Sequence, residues 1–317
     1  MSAVKKKEKT VHSRYRVARN LLIFWTLFIG IGAVTGASAM LIDPSGKAFG
    51  MDAMLPFFQK LPFSDVLFRD FVFSGFALLI VNGLTNLTAA FFLLRKKKVG
   101  VVLGGAFGVT LMLWICIQFY MFPLNFMSTI YFVFGFCQAV TGYAAQVFEK
   151  QESFSVDTTA YSNIGTRKDR LVIYFSRMGY VKRKAYEEAD RTGAEIYEIC
   201  ATEKTGGTLG FLWCGRYGMH RWGMPISLLK IDLSSYSHVT ICSPIWVFSL
   251  AAPVRRFCEE AAGKIKSVDY LLVHHTSGRY ENAAKEMDSL LGVTREGFRS
   301  FRCHCGVYKE VHKEGVS

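Results

Sequence analysis

Histidine is absent between Asn20 and Phe148, although seven occur in the 317-residue chain. That gap excludes the bis-histidine ligation by which transmembrane helices hold haem. Charge is absent as well from four long runs in the same half: Asn20 to Ile42, Phe71 to Leu94, Val99 to Phe122 and Phe126 to Phe148 contain no Asp, Glu, Lys or Arg. Intramembrane charges mark proton relays and ion paths, so transport or electron passage across a bilayer is disfavoured. The runs are apolar and each about twenty residues or longer, as a bilayer span requires. Four transmembrane helices are expected. For the first, Ala37, Ser38 and Ala39 offer a signal-peptide cleavage site as the alternative; the long basic leader and the continuing apolar run favour an uncleaved helix.

Lys and Arg set the orientation. The leader, residues 1 to 20, carries seven of them against Glu8, a net of +6, and Arg95 to Lys98 adds +4 between the second and third spans. Both segments belong on the cytoplasmic side. The loop Asp43 to Asp70 is mixed in sign and the turn at Pro123 to Asn125 is uncharged, so the carboxyl-terminal half is expected in the cytoplasm. These two basic segments account for +10 of the formal +13. The high pI therefore reflects topology and attraction to lipid, and nucleic acid is not an expected partner. Within the spans, Gly32 and Gly36 make a small-residue face, and Asn82, Asn86, Gln118 and Gln138 can join helices by hydrogen bonds.

Six of the eight cysteines lie in the second half, where a reducing cytoplasm keeps them as thiols. Cys303-His304-Cys305 has no second ligand pair at zinc spacing, and alternation along a terminal strand explains it without metal. Of His274 and His275, one is expected to pack inward and the other to lie near a site rim. Strands are expected at Leu171 to Phe175, Glu195 to Cys200, Val239 to Cys242, Tyr270 to His275 and Phe298 to Cys303, and helices at Val181 to Arg191, Pro253 to Ala262 and Asn282 to Leu291. Such alternation implies a five-stranded parallel sheet with helices on both faces. About a dozen residues follow the fifth strand, so the terminal helix is expected to be short or missing. Ala201 to Lys230 reads as irregular with room for a short helix, and its Trp213, Arg216, Tyr217, His220, Arg221 and Trp222 form a basic aromatic cluster. That cluster is either a packed loop or a contact for nucleotide or lipid headgroups.

Two loops carry the chemistry. The buried strand LVIYF runs into Ser176, Arg177, Met178, Gly179, Tyr180 and Val181 at a helix start, where backbone N–H groups favour phosphate. The strand Val239 to Cys242 runs into Ser243, Pro244, Ile245 and Trp246, with Pro253 opening the next helix. In open parallel sheets ligands bind beyond the carboxyl ends of the strands, and a Trp there presents a flat face to a planar ring.

Together these segments resemble the flavodoxin family over roughly Arg170 to Val311. The family's phosphate loop, Ser/Thr-x-Thr-Gly-x-Thr, is matched by Ser176 to Val181, with Met178 and Val181 standing where Thr is usual. Its Gly-Ser-Pro-Ile-Trp and Pro-Pro-Val-x-x-Phe elements are matched by Cys242 to Trp246 and Ala252 to Phe257. The resemblance implies non-covalent FMN. Ser176, Gly179 and the amides of Arg177 to Val181 would hold phosphate, with Lys182 or Arg183 balancing charge. Trp246 would stack on the flavin ring, Pro244, Ile245, Val247 and Phe248 would shape its wall, and Thr276, Ser277 and Gly278 would line the far rim. Family members are strongly acidic, whereas Asp169 to Ser317 holds 21 Lys plus Arg and 17 Asp plus Glu, a net of +4.

The expected organisation is a leader (1–19), a four-helix membrane region (20–148), a linker (149–168) and a flavodoxin-like domain (169–317). The function implied is electron transfer at the cytoplasmic membrane face, with lipid and a quinone or membrane redox enzyme as partners and no assigned oligomeric state. Two alternatives stay open: an FMN-free interaction or regulatory module, and an NAD(P)H-dependent flavin or quinone reductase.

Overall fold

The structure, a computed structural model, describes residues 14–58, 60–122 and 124–315. Most of the basic leader, residues 1–13, and Pro123 of the second loop lie outside them. Two compact units result, one of residues 12–149 and one built on residues 150–317.

The first unit contains four helices long and apolar enough to cross a membrane: Arg14–Ile42, Val72–Leu94, Lys98–Met121 and Phe126–Glu152. Helix α1 is Arg14–Ile42, and the short α2 (Leu55–Phe58) and α3 (Ser64–Leu67) lie in the loop after it. The second long helix is α4 (Val72–Leu78) and α5 (Thr85–Leu94) joined through a π-helical turn at Leu79–Leu84. Then come α6 (Lys98–Met121) and α7 (Phe126–Glu152).

Of the polar residues expected to join helices, Asn86, Gln118 and Gln138 do so, whereas the buried Asn82 side chain makes no hydrogen bond among the described residues. Gln138 Nε2 on α7 donates to Asn86 Oδ1 on α5 at 2.8 Å and to the Gly104 carbonyl on α6 at 2.7 Å. Ser128 Oγ donates to Gln118 Oε1 at 3.2 Å. The close helix approach lies elsewhere than the Gly32 and Gly36 face. A Cβ on Gly32 or Gly36 would find ordinary contacts at 3.7 and 3.4 Å, whereas one on Gly108 would lie 2.5 Å from the Ala139 nitrogen, and one on Gly142 would strike the Gly105 backbone. Helices α6 and α7 touch backbone to backbone there, which only residues without a Cβ permit.

The second unit is an α/β layer structure. Its strands are β1 (Arg167–Tyr174), β2 (Ala194–Glu198), β3 (His238–Trp246), β4 (Ser249–Leu250), β5 (Val268–His274), β6 (Gly297–His304) and β7 (Val307–Glu314). Its helices are α8 (Tyr180–Thr192), α9 (Gly207–His220), α10 (Ala252–Ala261) and α11 (Glu281–Leu291). The order is β2-β1-β3-β5-β6-β7, with β4 paired to β3 off this path. The pairs from β2 to β6 are all parallel.

The sheet thus has seven strands where five were expected. The five expected strands form its parallel part, and both additions are antiparallel hairpin partners. β7 stands where a closing helix would otherwise follow. Its two-residue turn, Cys305 and Gly306, has positive φ at both positions, 49° and 89°, as the tight turn that matches strand twist requires.

Side chains alternate across the sheet. Leu171, Ile173, Val239, Ile241, Tyr270, Leu272 and Phe298 pack with Val254, Phe257 and Cys258 of α10 and Ala283, Met287 and Leu291 of α11. Val172, Tyr174, Cys242, Leu271, Val273 and Phe301 pack on the other side with Val181, Ala185 and Ala189 of α8. Tyr308 from β7 and Ile164 from the segment before β1 add cover to this second face. Glu188 on α8 is buried between Arg191 and Arg299. Burial opposes its ionisation, but hydrogen bonds from both guanidinium groups outweigh that and hold its carboxyl below the ordinary range.

Candidate functional site

The chain passes from β1 to β2 on one side and then crosses back to β3 on the other, so the strand order reverses between β1 and β3. In doubly wound sheets the ligand crevice opens at this switch point, beyond the carboxyl ends of the strands. Since β1, β3 and β5 are parallel neighbours, the segments leaving them lie along one edge. The expected site residues stand on those segments or, for Ser243 to Trp246, at the carboxyl end of β3 itself.

Behind β1, Ser176 to Gly179 form the loop and Tyr180 opens α8. Gly179 has φ of 86° and caps the helix in the left-handed region, where a side chain is strained. The N–H groups of Tyr180, Val181 and Lys182 have no acceptor within the helix; the Arg183 N–H already reaches the Gly179 carbonyl at 3.0 Å. Ser176 Oγ is buried and has no hydrogen-bond partner, a cost of about 1–3 kcal/mol unless a ligand satisfies it. Val181 turns inward and is buried beneath α8, so it offers the loop only its amide. Arg183 is paired with Glu187 at 3.0 Å, and the Lys182 ammonium lies 5.6 Å from the Tyr186 ring centroid. The ring of Phe154 packs on Tyr180 at 4.5 Å and faces Gly179. Tyr180 is pushed up to about 12, mainly by burial.

Arg177 leaves this loop sideways. Its Nε donates to the Thr205 carbonyl at 2.8 Å and Nη2 to the Gly207 carbonyl at 3.3 Å, and its guanidinium lies 5.2 Å from the Phe211 ring centroid. The loop behind β1 is therefore fastened to the first turn of α9.

Beyond β3 the structure departs from the strand–loop–helix expectation. Ser243, Pro244, Ile245 and Trp246 continue the strand, and the chain then reverses through Val247 and Phe248 into β4. Both turn residues have positive φ, 47° and 60°. Such turns are ordinarily built from Asn and Gly, and a β-branched residue with positive φ is an outlier. Strain of this kind collects at functional sites. Trp246 is half-buried, edge-on to Phe175 at 5.5 Å and 85°, and packs beside Cys214, Met224 and Ala252. Val247 and Phe248 are exposed. Ser249 Oγ donates to the carbonyls of Trp246 and Gly218 at 3.0 and 3.1 Å, pinning the hairpin to α9.

After β5, Thr276, Ser277 and Gly278 are exposed. Thr276 Oγ1 pairs with the Tyr280 hydroxyl at 2.5 Å. His274 is the inward histidine: Nδ1 reaches the Thr276 carbonyl at 2.9 Å and Nε2 the Ser300 hydroxyl at 2.7 Å. A carbonyl only accepts, so Nδ1 carries the proton and Nε2 accepts from Ser300. Burial lowers its pKa, and the ring is a neutral clamp on the loop. His275 is exposed, with its ring 5.1 Å from that of His304. Among the described residues no three His, Cys, Asp or Glu side chains converge as metal ligands would.

The stretch expected to be irregular contains α9, and the basic aromatic cluster stands on it. Trp213 and Tyr217 both donate to Glu203, His220 stacks on Trp222 at 4.4 Å and 14°, and Arg216 lies over both Trp213 and Trp222. This connection between the phosphate-loop side and the Trp246 hairpin was not legible from residue spacing, because Gly206, Gly207, Gly210, Gly215 and Gly218 interrupt the helical pattern.

No protein-family profile and no curated protein matches the chain. Among solved structures it is similar to a flavoprotein in complex with FMN from Lactobacillus acidophilus NCFM, at 19% identity over 42% of this chain and 93% of that one, with a TM-score of 0.37. A candidate flavoprotein from Bacteroides uniformis ATCC 8492 aligns at 23% identity over 43% and 90%, TM-score 0.38. Another from Bacteroides eggerthii DSM 20697 aligns at 21% over 42% and 88%, TM-score 0.37.

Proposed function

We propose that the chain is a membrane-tethered flavodoxin-like protein that binds FMN non-covalently and passes electrons at the cytoplasmic membrane face. The observation that carries this reading is Ser176 Oγ: a buried, unsatisfied hydroxyl beside the free amides of α8, at the reversal point of the sheet. A phosphate group there would supply the missing acceptor and meet the positive end of the helix. The residues present fit FMN in other respects. Trp246 and the exposed Phe248 give an apolar wall, and Thr276 to Gly278 stand on the neighbouring loop. Bound flavin supplies one- and two-electron redox chemistry. The chain's own groups bind, orient and shield it.

The tether favours a partner in or on the bilayer, a quinone or a membrane redox enzyme, because an anchored domain has a raised local concentration there. The orientation rests on the Lys and Arg of the leader and of Arg95 to Lys98. A flavin-free interaction module draws on Phe154, whose ring faces Gly179 in the phosphate loop.

Purified full-length protein in detergent decides between them. It should be yellow and release FMN on heating, and Ser176→Ala should weaken FMN binding roughly tenfold or more, as loss of a hydrogen bond to a charged group does. A colourless protein that ignores added FMN would overturn the proposal in favour of the flavin-free module. Turnover of NADPH with a soluble quinone would instead identify a reductase.

A further inference from the structure

We infer that α9 and the turn after it, residues 204 to 231, form a docking surface for the headgroup layer of an anionic lipid bilayer. The inference rests on the four long helices crossing a membrane and stands whether or not flavin binds.

α9 is inverted for a helix on a water-facing domain. Gly210, Cys214 and Gly218, four residues apart, are its buried positions, set against Trp246 and Ala252. At 3.6 residues per turn, Leu209, Leu212, Trp213, Arg216 and Met219 fall on the opposite side. They are exposed: Leu209 by 72%, Leu212 by 62% and Met219 by 65%. An ordinary surface helix carries charged and polar residues there. Trp222, also exposed, extends this surface past the helix end, with its ring against His220 and Arg216, and a hollow of about 500 Å³ is lined by Glu203, Lys204 and the Leu209–Trp213 face. Contiguous apolar surface of this kind marks an interaction site.

Charge selects the occupant. Residues 204 to 231 contain Lys204, Arg216, Arg221 and Lys230 and no Asp or Glu, a net of +4. That equals the net charge of the whole stretch from Asp169 to Ser317, so the remainder of the domain is neutral. The adjoining acid Glu203 is held by Trp213 and Tyr217, and Glu259, beside Gly223, lies 3.5 Å from Arg256. Leucine, methionine and tryptophan interspersed with Lys and Arg and no acid is the composition of a helix that lies in a membrane interface. Tryptophan prefers that boundary, and each basic residue adds attraction to anionic lipid. A bilayer is also the surface that an anchored domain meets most often.

The test uses the full-length chain in nanodiscs of phosphatidylcholine alone or with added phosphatidylglycerol, read by hydrogen–deuterium exchange. Residues 207 to 222 should exchange roughly tenfold more slowly in the anionic discs than in neutral discs or detergent. The difference should vanish near 1 M salt, where the screening length falls to about 3 Å. Leu212→Glu with Met219→Glu should abolish it while α8 and β3 keep their slow exchange, which reports an intact fold. Equal exchange in every environment would overturn the inference. Protection that grows with protein concentration in detergent would overturn it too, by assigning the face to a second copy of the chain.

Discussion

Replacing Val247 and Phe248 by Asn and Gly should stabilise the protein and weaken the site. Both residues are held at positive φ, and an L-residue pays about 1–2 kcal/mol to sit in the left-handed region. The turn therefore stores about 2–4 kcal/mol. Gly at the second position returns about 0.5–1 kcal/mol through the entropy of its unfolded state. Little burial is lost, since Phe248 is 76% and Val247 46% exposed. A net gain of about 2 kcal/mol remains, which for a unit of this size raises Tm by roughly 4–8 °C. Thermal unfolding of full-length protein in detergent, followed by near-ultraviolet circular dichroism, reads it directly. The same variant loses an apolar wall beside Trp246, so FMN affinity should fall several-fold to about tenfold. An unchanged or lowered Tm would refute the claim of stored strain. A raised Tm with undiminished FMN affinity would separate that strain from the site.

Three further outcomes follow from particular contacts. Gly142→Leu should prevent the α6–α7 crossing, because even a Cβ would meet the Gly105 backbone; a variant as monodisperse and heat-stable in detergent as the parent would contradict the close approach. The Glu188 carboxyl has its folded pKa below the ordinary value, so its contribution is complete above about pH 4.5 and is lost as pH falls through the folded value. Glu188→Gln should cost about 3 kcal/mol at neutral pH and flatten the acid limb of a Tm-against-pH curve; an unaltered limb would exonerate this residue. Cys214 is pushed up to about 11, chiefly by burial, and should resist alkylation at pH 7 while the exposed Cys200 reacts. Equal labelling of the two by mass spectrometry would contradict that.

Legibility in the sequence followed local chemistry closely. The β-branched and aromatic run Leu171 to Phe175 announced a buried strand, because a strand covered on both faces needs apolar residues at every position, and the structure buries all five. The long uncharged runs announced their helices for a similar reason. What stayed hidden lay in turns and close approaches. β4 escaped because its hairpin is made by Val247 and Phe248 where Asn and Gly would have signalled a turn. α9 was readable only as room for a short helix, because glycines in a helical pattern suggest irregularity; yet a Cβ on Gly210 would lie 2.5 Å from the Thr205 carbonyl carbon, and one on Gly218 3.1 Å from the Trp246 oxygen. Glycine there buys proximity to a neighbour, which no propensity records. β7 stayed hidden as well: Val307, Tyr308 and Val311 do not alternate with its charged residues, so the segment carries no strand period.

Arg177 belongs to the loop behind β1 and yet spends its hydrogen bonds on Thr205 and Gly207, at the start of α9. One side chain thus shares its order between two surfaces. Anything that immobilises α9 lowers the entropy still to be surrendered when an anion settles at Ser176, and the reverse holds by the same amount, since binding couplings are reciprocal. If α9 docks on lipid and the loop binds flavin as proposed, lipid composition and flavin occupancy are coupled, and Arg177→Ala is the change that would uncouple them: FMN titrations in neutral and in anionic nanodiscs should differ for the parent chain and coincide for the variant.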